Sequence, residues 1–197
     1  WIIMLKKIPN ILTIGRIITV PFFVLAFYLP GFYGDLTAFA LFVIASFTDF
    51  LDGMLARMMG EESKLGELLD PIADKIIVAT ALILLVMSGT IRHYEVIAAI
   101  IILTREILIS GLREFLARGR IKLPVTNLAK LKTFLQMVAI SLLLTGETGN
   151  KILNFQNYNA QTIGIILLWL SAFLTLYTGY EYLRKGIDHA MSEDNKK

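Results

Sequence analysis

The sequence predicts an all-α integral membrane protein with six transmembrane helices and both termini on the cytoplasmic side. Three observations predict it. The 197-residue chain is 56% hydrophobic and only 18% charged, whereas a soluble domain carries about a quarter charged residues. Its apolar residues gather into six segments, each close to the roughly 20 residues that cross a bilayer as a helix. Its 19 Lys and Arg are distributed unevenly about those segments. The same composition argues against a soluble enzyme, a disordered tail and a secreted disulfide scaffold. The absence of cysteine removes structural disulfides and Cys-based metal or nucleophile sites.

The segments run over residues 8–30, 35–58, 70–89, 92–117, 126–146 and 160–184. Breaks fall at Pro30-Gly31, at 60–64, at Ser88-Gly89, at 118–124 and at 146–150. Each break is too short for another domain, so 1–197 reads as one six-helix unit without internal repeats. Helices satisfy their own backbone groups in lipid, and no alternating strand pattern suggests a barrel. An even number of spans puts both termini on one side. Of the 19 basic residues only Arg92 and Lys151 then fall on the other side, which makes the terminal side cytoplasmic. Trp1-Ile2-Ile3 is expected to be a remnant ahead of a natural start at Met4, and 186–197 a flexible tail.

Acidic residues at membrane depth are unfavourable and mark function. The second segment ends in Asp49-Phe50-Leu51-Asp52-Gly53-Met54-Leu55-Ala56-Arg57, and Gly66, Asp70 and Asp74 open the third. Offsets of three and four share a helix face, so Asp49, Asp52, Gly53, Ala56 and Arg57 form one stripe and Gly66, Asp70 and Asp74 another. A short linker lets the two stripes face each other. Four carboxylates in a low-dielectric cleft repel unless neutralised. Hard divalent cations prefer oxygen ligands, and two of them would balance the charge. Such a pair suits displacement at phosphorus. The glycines leave room for a bulky ligand, Arg57 can reach a phosphate, and Asp74 lies one turn deeper than Asp70, in reach of a proton.

Asp49-x-x-Asp52-Gly53-x-x-Ala56-Arg57, eight residues, then Gly66-x-x-x-Asp70-x-x-x-Asp74 is similar to the complete signature of the CDP-alcohol phosphotransferase family. The resemblance implies that family's fold: a homodimeric helical membrane enzyme that transfers a phosphoalcohol group from a CDP-linked donor to an acceptor hydroxyl, releasing CMP. It implies two divalent metal ions, Mg²⁺ or Mn²⁺, held by Asp49, Asp52 and Asp70, with Asp74 at the metal edge as general base. Gly53, Ala56, Arg57 and Gly66 would line the CDP pocket.

The fourth segment carries Arg105 deep in an apolar helix and Arg113 two turns on, and the fifth opens with Lys130 and Lys132. An inositol, choline or serine acceptor would not require this much positive charge, whereas an acceptor bearing its own phosphate would. Thr104-Arg105-Glu106, Ser110-Gly111-Leu112-Arg113-Glu114, Lys130-Leu131-Lys132-Thr133 and Pro9-Asn10-Ile11-Leu12-Thr13-Ile14-Gly15-Arg16 resemble stretches of a bacterial branch of the family. That likeness implies CDP-diacylglycerol as donor and sn-glycerol 3-phosphate as acceptor, in a multi-pass protein of the bacterial inner membrane with its site on the cytoplasmic side. Arg105, Arg113, Lys130 and Lys132 would grip the acceptor phosphate, and Asn10, Thr13 and Arg16 would border the donor site. The other partners expected are membrane lipids, with no nucleic acid.

Arg118, Arg120 and Lys122 read as headgroup contacts, and Arg105 has Glu106 as an alternative ion-pair partner. His93 and His189 lie away from the site. Trp169 and the tyrosines of the last segment read as interface anchors without chemistry. The competing readings are a cardiolipin synthase of the CDP-diacylglycerol type, an intramembrane prenyltransferase, which needs more spans and another aspartate spacing, and an ion carrier built on four buried acids.

Overall fold

The computed structural model describes residues 8–59, 64–118, 126–152 and 159–194. Among these residues there are seven helices and no strand: α1 (Ile8–Phe27), α2 (Phe32–Met59), α3 (Lys64–Met87), α4 (Glu95–Arg118), α5 (Asn127–Leu144), α6 (Gly146–Ile152) and α7 (Ala160–Asp194). Six of them coincide with the six apolar segments. The differences lie at the ends. Helix α3 starts at Lys64 rather than near 70, because helix-forming Lys64, Leu65, Glu67, Leu68 and Leu69 carry it through the polar stretch. Helix α7 runs on to Asp194, through a proline-free stretch, so 186–194 is helical where the sequence suggests a tail. Residues 1–3 and 195–197 lie outside the described residues.

Chain reversals fall where the backbone requires glycine. Gly31 and Gly89 adopt φ of +75° and +76° between α1 and α2 and after α3, a region that a Cβ disfavours. Two starts are capped by side chains. Thr126 Oγ1 accepts from the Ala129 amide at 3.3 Å to open α5, and Glu95 accepts from the Arg92 amide at 3.1 Å to open α4.

Helix α1 packs on both α2 and α3, while α7 packs along α5 and α4. The core between them contains Phe23, Phe42, Leu82, Leu85, Ile102, Ile140, Leu143 and Leu168. Alanines 38, 45, 81, 98, 99, 139 and 172 are buried among these, and small side chains let helix axes approach. Helices α4 and α7 run parallel: Gly179 lies against Arg105, and seven residues on Gly186 lies against Leu112.

The outer surface is apolar. Ile18, Phe22 and Leu25 on α1 and Phe173, Leu176 and Tyr180 on α7 all point outward, an arrangement that suits lipid rather than water. Among the described residues two helices are long and apolar enough to cross a membrane, at Asn127–Leu144 and Ala160–Arg184, with shorter apolar stretches at Leu12–Phe27 and Phe32–Thr48. Helices α3 and α4 carry their charges within their length, Asp74, Lys75, Arg105, Glu106, Arg113 and Glu114 among them, which lowers their hydropathy.

Candidate active site

The two stripes of the signature lie on continuous helix. Helix α2 is unbroken through 49–57 and α3 through 66–74, so the spacings of three and four keep each set on one face. The side chains of Asn10, Asp49, Asp52, Gly53, Ala56, Arg57, Gly66 and Asp70 lie outside the described residues. Among the described residues no three acidic or histidine side chains form a metal-binding group. The donor set itself fits a divalent ion: two helices present carboxylates, with no thiolate or imidazole in either stripe, and oxygen-only donors are what hard cations take. Helix α1, packed on both of these helices, buries Thr13 and Arg16 on the stripe that continues to Phe23 and Ala26.

Asp74, the last acid of the signature, lines a cavity of about 60 Å³ that α3, α4 and α5 enclose. Its polar walls are Asp74 and Lys75 from α3, Glu106 from α4, and Thr133 and Gln136 from α5. Glu106 accepts a hydrogen bond from the Lys132 ammonium, and Lys132 is only 3% exposed. Arg105 Nη1 stands 3.7 Å from the same Glu106 oxygen. One carboxylate thus serves two cations. A buried charge tolerates low dielectric only when paired.

A second aromatic-centred group adjoins it. Tyr182 of α7, buried at 4% exposure, lies beneath two guanidiniums, with Arg113 5.1 Å and Arg105 5.8 Å from its ring centre. Arg113 donates to the Tyr182 hydroxyl at 3.3 Å, and Arg105 donates to Thr178 Oγ1 at 3.2 Å. Gly179 makes this possible: a Cβ there would stand 3.1 Å from Arg105 Cγ. Arg105 Nε and Gln136 Oε1 are buried and have no hydrogen-bond partner among the described residues.

An acid of the signature in one cavity with a carboxylate that two cations share suits transfer of a phosphorus-centred group to an anionic acceptor. Residues 6–177 match the family model described as CDP-alcohol phosphatidyltransferase. The chain belongs to the CDP-alcohol phosphatidyltransferase family. Curated relatives agree. A Rickettsia felis protein named CDP-diacylglycerol–glycerol-3-phosphate 3-phosphatidyltransferase is 43% identical over 91% of this chain and 94% of its own length. Proteins of the same name are 41% identical in Haemophilus influenzae, over 90% of this chain and 92% of theirs, and 37% identical in Cereibacter sphaeroides, over 95% and 98%.

Within this family member the structure sorts the basic residues. Arg105 and Lys132 converge on Glu106, and Arg105 and Arg113 converge on Tyr182. Lys130 is exposed and, two residues before Lys132, projects from the other side of α5. Three residues gain a place that the sequence reading did not assign. Tyr182 carries the arginine pair, although the last tyrosines read as interface anchors. Thr178 fixes Arg105. Gln136, one turn after Lys132, reaches the cavity wall. A signal for Gln136 was present: a polar amide within Phe134-Leu135-Gln136-Met137-Val138 is unfavourable in an apolar span and so needs a reason.

Proposed function

We infer that this family member is a phosphatidylglycerophosphate synthase. It transfers the phosphatidyl group of CDP-diacylglycerol to the primary hydroxyl of sn-glycerol 3-phosphate, giving phosphatidylglycerol phosphate and CMP. The observation that carries this reading is the cavity that joins Asp74 of the signature to the Glu106–Lys132 pair. A proton acceptor lines the same small space as Glu106, the carboxylate that Lys132 and Arg105 share. The names of the bacterial relatives support the same donor and acceptor.

In the mechanism, Asp74 takes the proton of the acceptor's primary hydroxyl. The hydroxyl oxygen attacks the phosphorus bonded to diacylglycerol, the bond from that phosphorus to the CMP oxygen breaks, and CMP leaves. Lys132, Arg105 and Arg113 hold the acceptor phosphate through charge-assisted bonds, with Glu106 as the counterion the phosphate competes against. Arg57, Gly53, Ala56 and Gly66 hold the CDP moiety, with Asn10, Thr13 and Arg16 at its border. Lys130 adds to the positive field at the entrance. Asp49, Asp52 and Asp70, with Asp74 at the edge, would hold two divalent ions, Mg²⁺ or Mn²⁺, which supply charge neutralisation at the pyrophosphate.

The enzyme crosses the bacterial inner membrane six times as a homodimer, with both termini and the site on the cytoplasmic side. The basic residues clustered on that side support this orientation. The test is CMP release by the purified chain with CDP-diacylglycerol and a panel of alcohols. Turnover is expected with glycerol 3-phosphate, to be lost on chelation and regained with Mg²⁺ or Mn²⁺. Preferential use of phosphatidylglycerol would make the chain a cardiolipin synthase and overturn the reading.

A further inference from the structure

Gln136 brings to the cavity a carboxamide whose oxygen is unmet among the described residues. It is 2% exposed, lines the space that Asp74 and Glu106 also line, and its Oε1 has no hydrogen-bond partner among the described residues. A buried acceptor left unmade is costly and asks for an explanation. The other neutral polar side chain of the wall does not compete for the role. Thr133 donates its hydroxyl to the Ala129 carbonyl at 3.1 Å, within its own helix. The remaining uncharged walls, Val78, Ala79, Leu103, Ile107 and Met137, are apolar. The space has room for about four water molecules, comparable with a three-carbon polyol.

The ligand's chemistry follows from the walls. Of the charged walls, Asp74 and Glu106 repel a phosphate and Lys75 attracts one, and the larger positive charge, Lys132 and Arg105 on Glu106 with Arg113 beyond, adjoins the cavity through Glu106. The part of the acceptor that reaches Asp74 is therefore its hydroxylated carbons. A hydroxyl both donates and accepts, and a carboxamide does the same. We propose that Gln136 binds the secondary hydroxyl of the acceptor and thereby sets the enzyme's preference for a 1,2-diol phosphate over the same molecule without that hydroxyl. The inference rests on the reading of the reaction above. It makes Gln136 a specificity-determining residue: the primary hydroxyl goes to Asp74, the phosphate to Lys132, and the central hydroxyl to the amide on the same face of α5 as Lys132.

The experiment measures kcat/KM for CMP release by the full chain with two acceptors, sn-glycerol 3-phosphate and 3-hydroxypropyl phosphate. The second keeps the primary hydroxyl and the phosphate and lacks only the central hydroxyl. The wild-type chain is expected to favour glycerol 3-phosphate at least tenfold, since a site built to bond a hydroxyl discriminates on the order of tenfold or more against its absence. Gln136→Met, close in volume and without the amide, is expected to lose about tenfold on glycerol 3-phosphate and less than about threefold on the deoxy acceptor. The preference then collapses toward unity. An equal loss on both acceptors, or a preference that survives the substitution, overturns the proposal. If Gln136→Met does not fold, the wild-type ratio decides: equal use of both acceptors overturns the proposal without any variant. Wild-type chain that turns over neither acceptor refutes the reaction itself, a different outcome from a flat preference.

Discussion

Two polar groups in this bundle look alike in composition and differ in what they leave undone. Near the start of α2, Asp35 accepts from Thr148 Oγ1 of α6 at 2.9 Å, and Gly146 packs so close that a Cβ there would lie 3.1 Å from the carboxylate. Asp35 also sits in the first turn of its helix, where the helix dipole favours an acid. These groups end on one another and fasten α2 to α6. The Glu106 group in the middle of the chain does not close. Two cations share one carboxylate, Arg105 Nε and Gln136 Oε1 remain unbonded among the described residues, and Glu106 and Gln136 line a cavity together with Asp74. Satisfied polar groups hold helices together. Unsatisfied ones around a void are arranged for something that comes and goes.

The contrast breaks most severely at Asp74. Asp74→Asn keeps the shape and removes the proposed base, so kcat is expected to fall by about 10²- to 10⁴-fold, with helix content by circular dichroism unchanged. Retention of more than about a tenth of the wild-type turnover would remove Asp74 from the role of base, because one proton-transfer group is worth at least a hundredfold.

Lys132 sharpens the comparison, because it pairs with Glu106 and the proposed mechanism also gives it the acceptor phosphate. Among the described residues, Lys132→Met leaves Glu106 with only Arg105, 3.7 Å away. The expected loss is about 2–3 kcal/mol of stability, at or below the low end for a broken buried pair because Arg105 remains, together with a rise of about tenfold or more in KM for glycerol 3-phosphate. Adding Glu106→Gln should restore stability, measured by thermal unfolding in detergent, without restoring KM. If KM recovers along with stability, Lys132 is only a structural partner of Glu106.

How much of this was legible beforehand follows from what spacing can encode. The acidic stripes were legible because positions 49, 52, 53, 56 and 57, and 66, 70 and 74, need only unbroken helix to share a face, and both helices are unbroken there. The helices were legible because apolar length and glycine breaks set them. The choice of partners was not. Lys130 and Lys132 look equivalent in the chain, yet a two-residue step turns one outward and buries the other against Glu106. Tyr182 is 69 residues from Arg113, and nothing local foretells that α7 packs against α4 with Gly179 making room for Arg105. Helix-to-helix register decides those contacts, and it comes from packing across the whole bundle.

The smallest expected effect lies at the closed end, and it is the control for the rest. Asp35 and Asp49 are separated by 14 residues of one helix, roughly 20 Å at 1.5 Å per residue, so the fastening stands well away from the signature. Thr148→Val keeps the side-chain shape and removes the hydroxyl that donates to Asp35. One neutral donor to a partly buried carboxylate is worth about 1 kcal/mol, so the unfolding temperature should fall by a few degrees for a domain of this size. Both kcat and KM for glycerol 3-phosphate should stay within about twofold of wild type, since a surplus bond far from a site acts only through global stability. A changed KM with unchanged stability would mean that the two groups are coupled along α2, and the division between a closed polar cluster and an open one would fail.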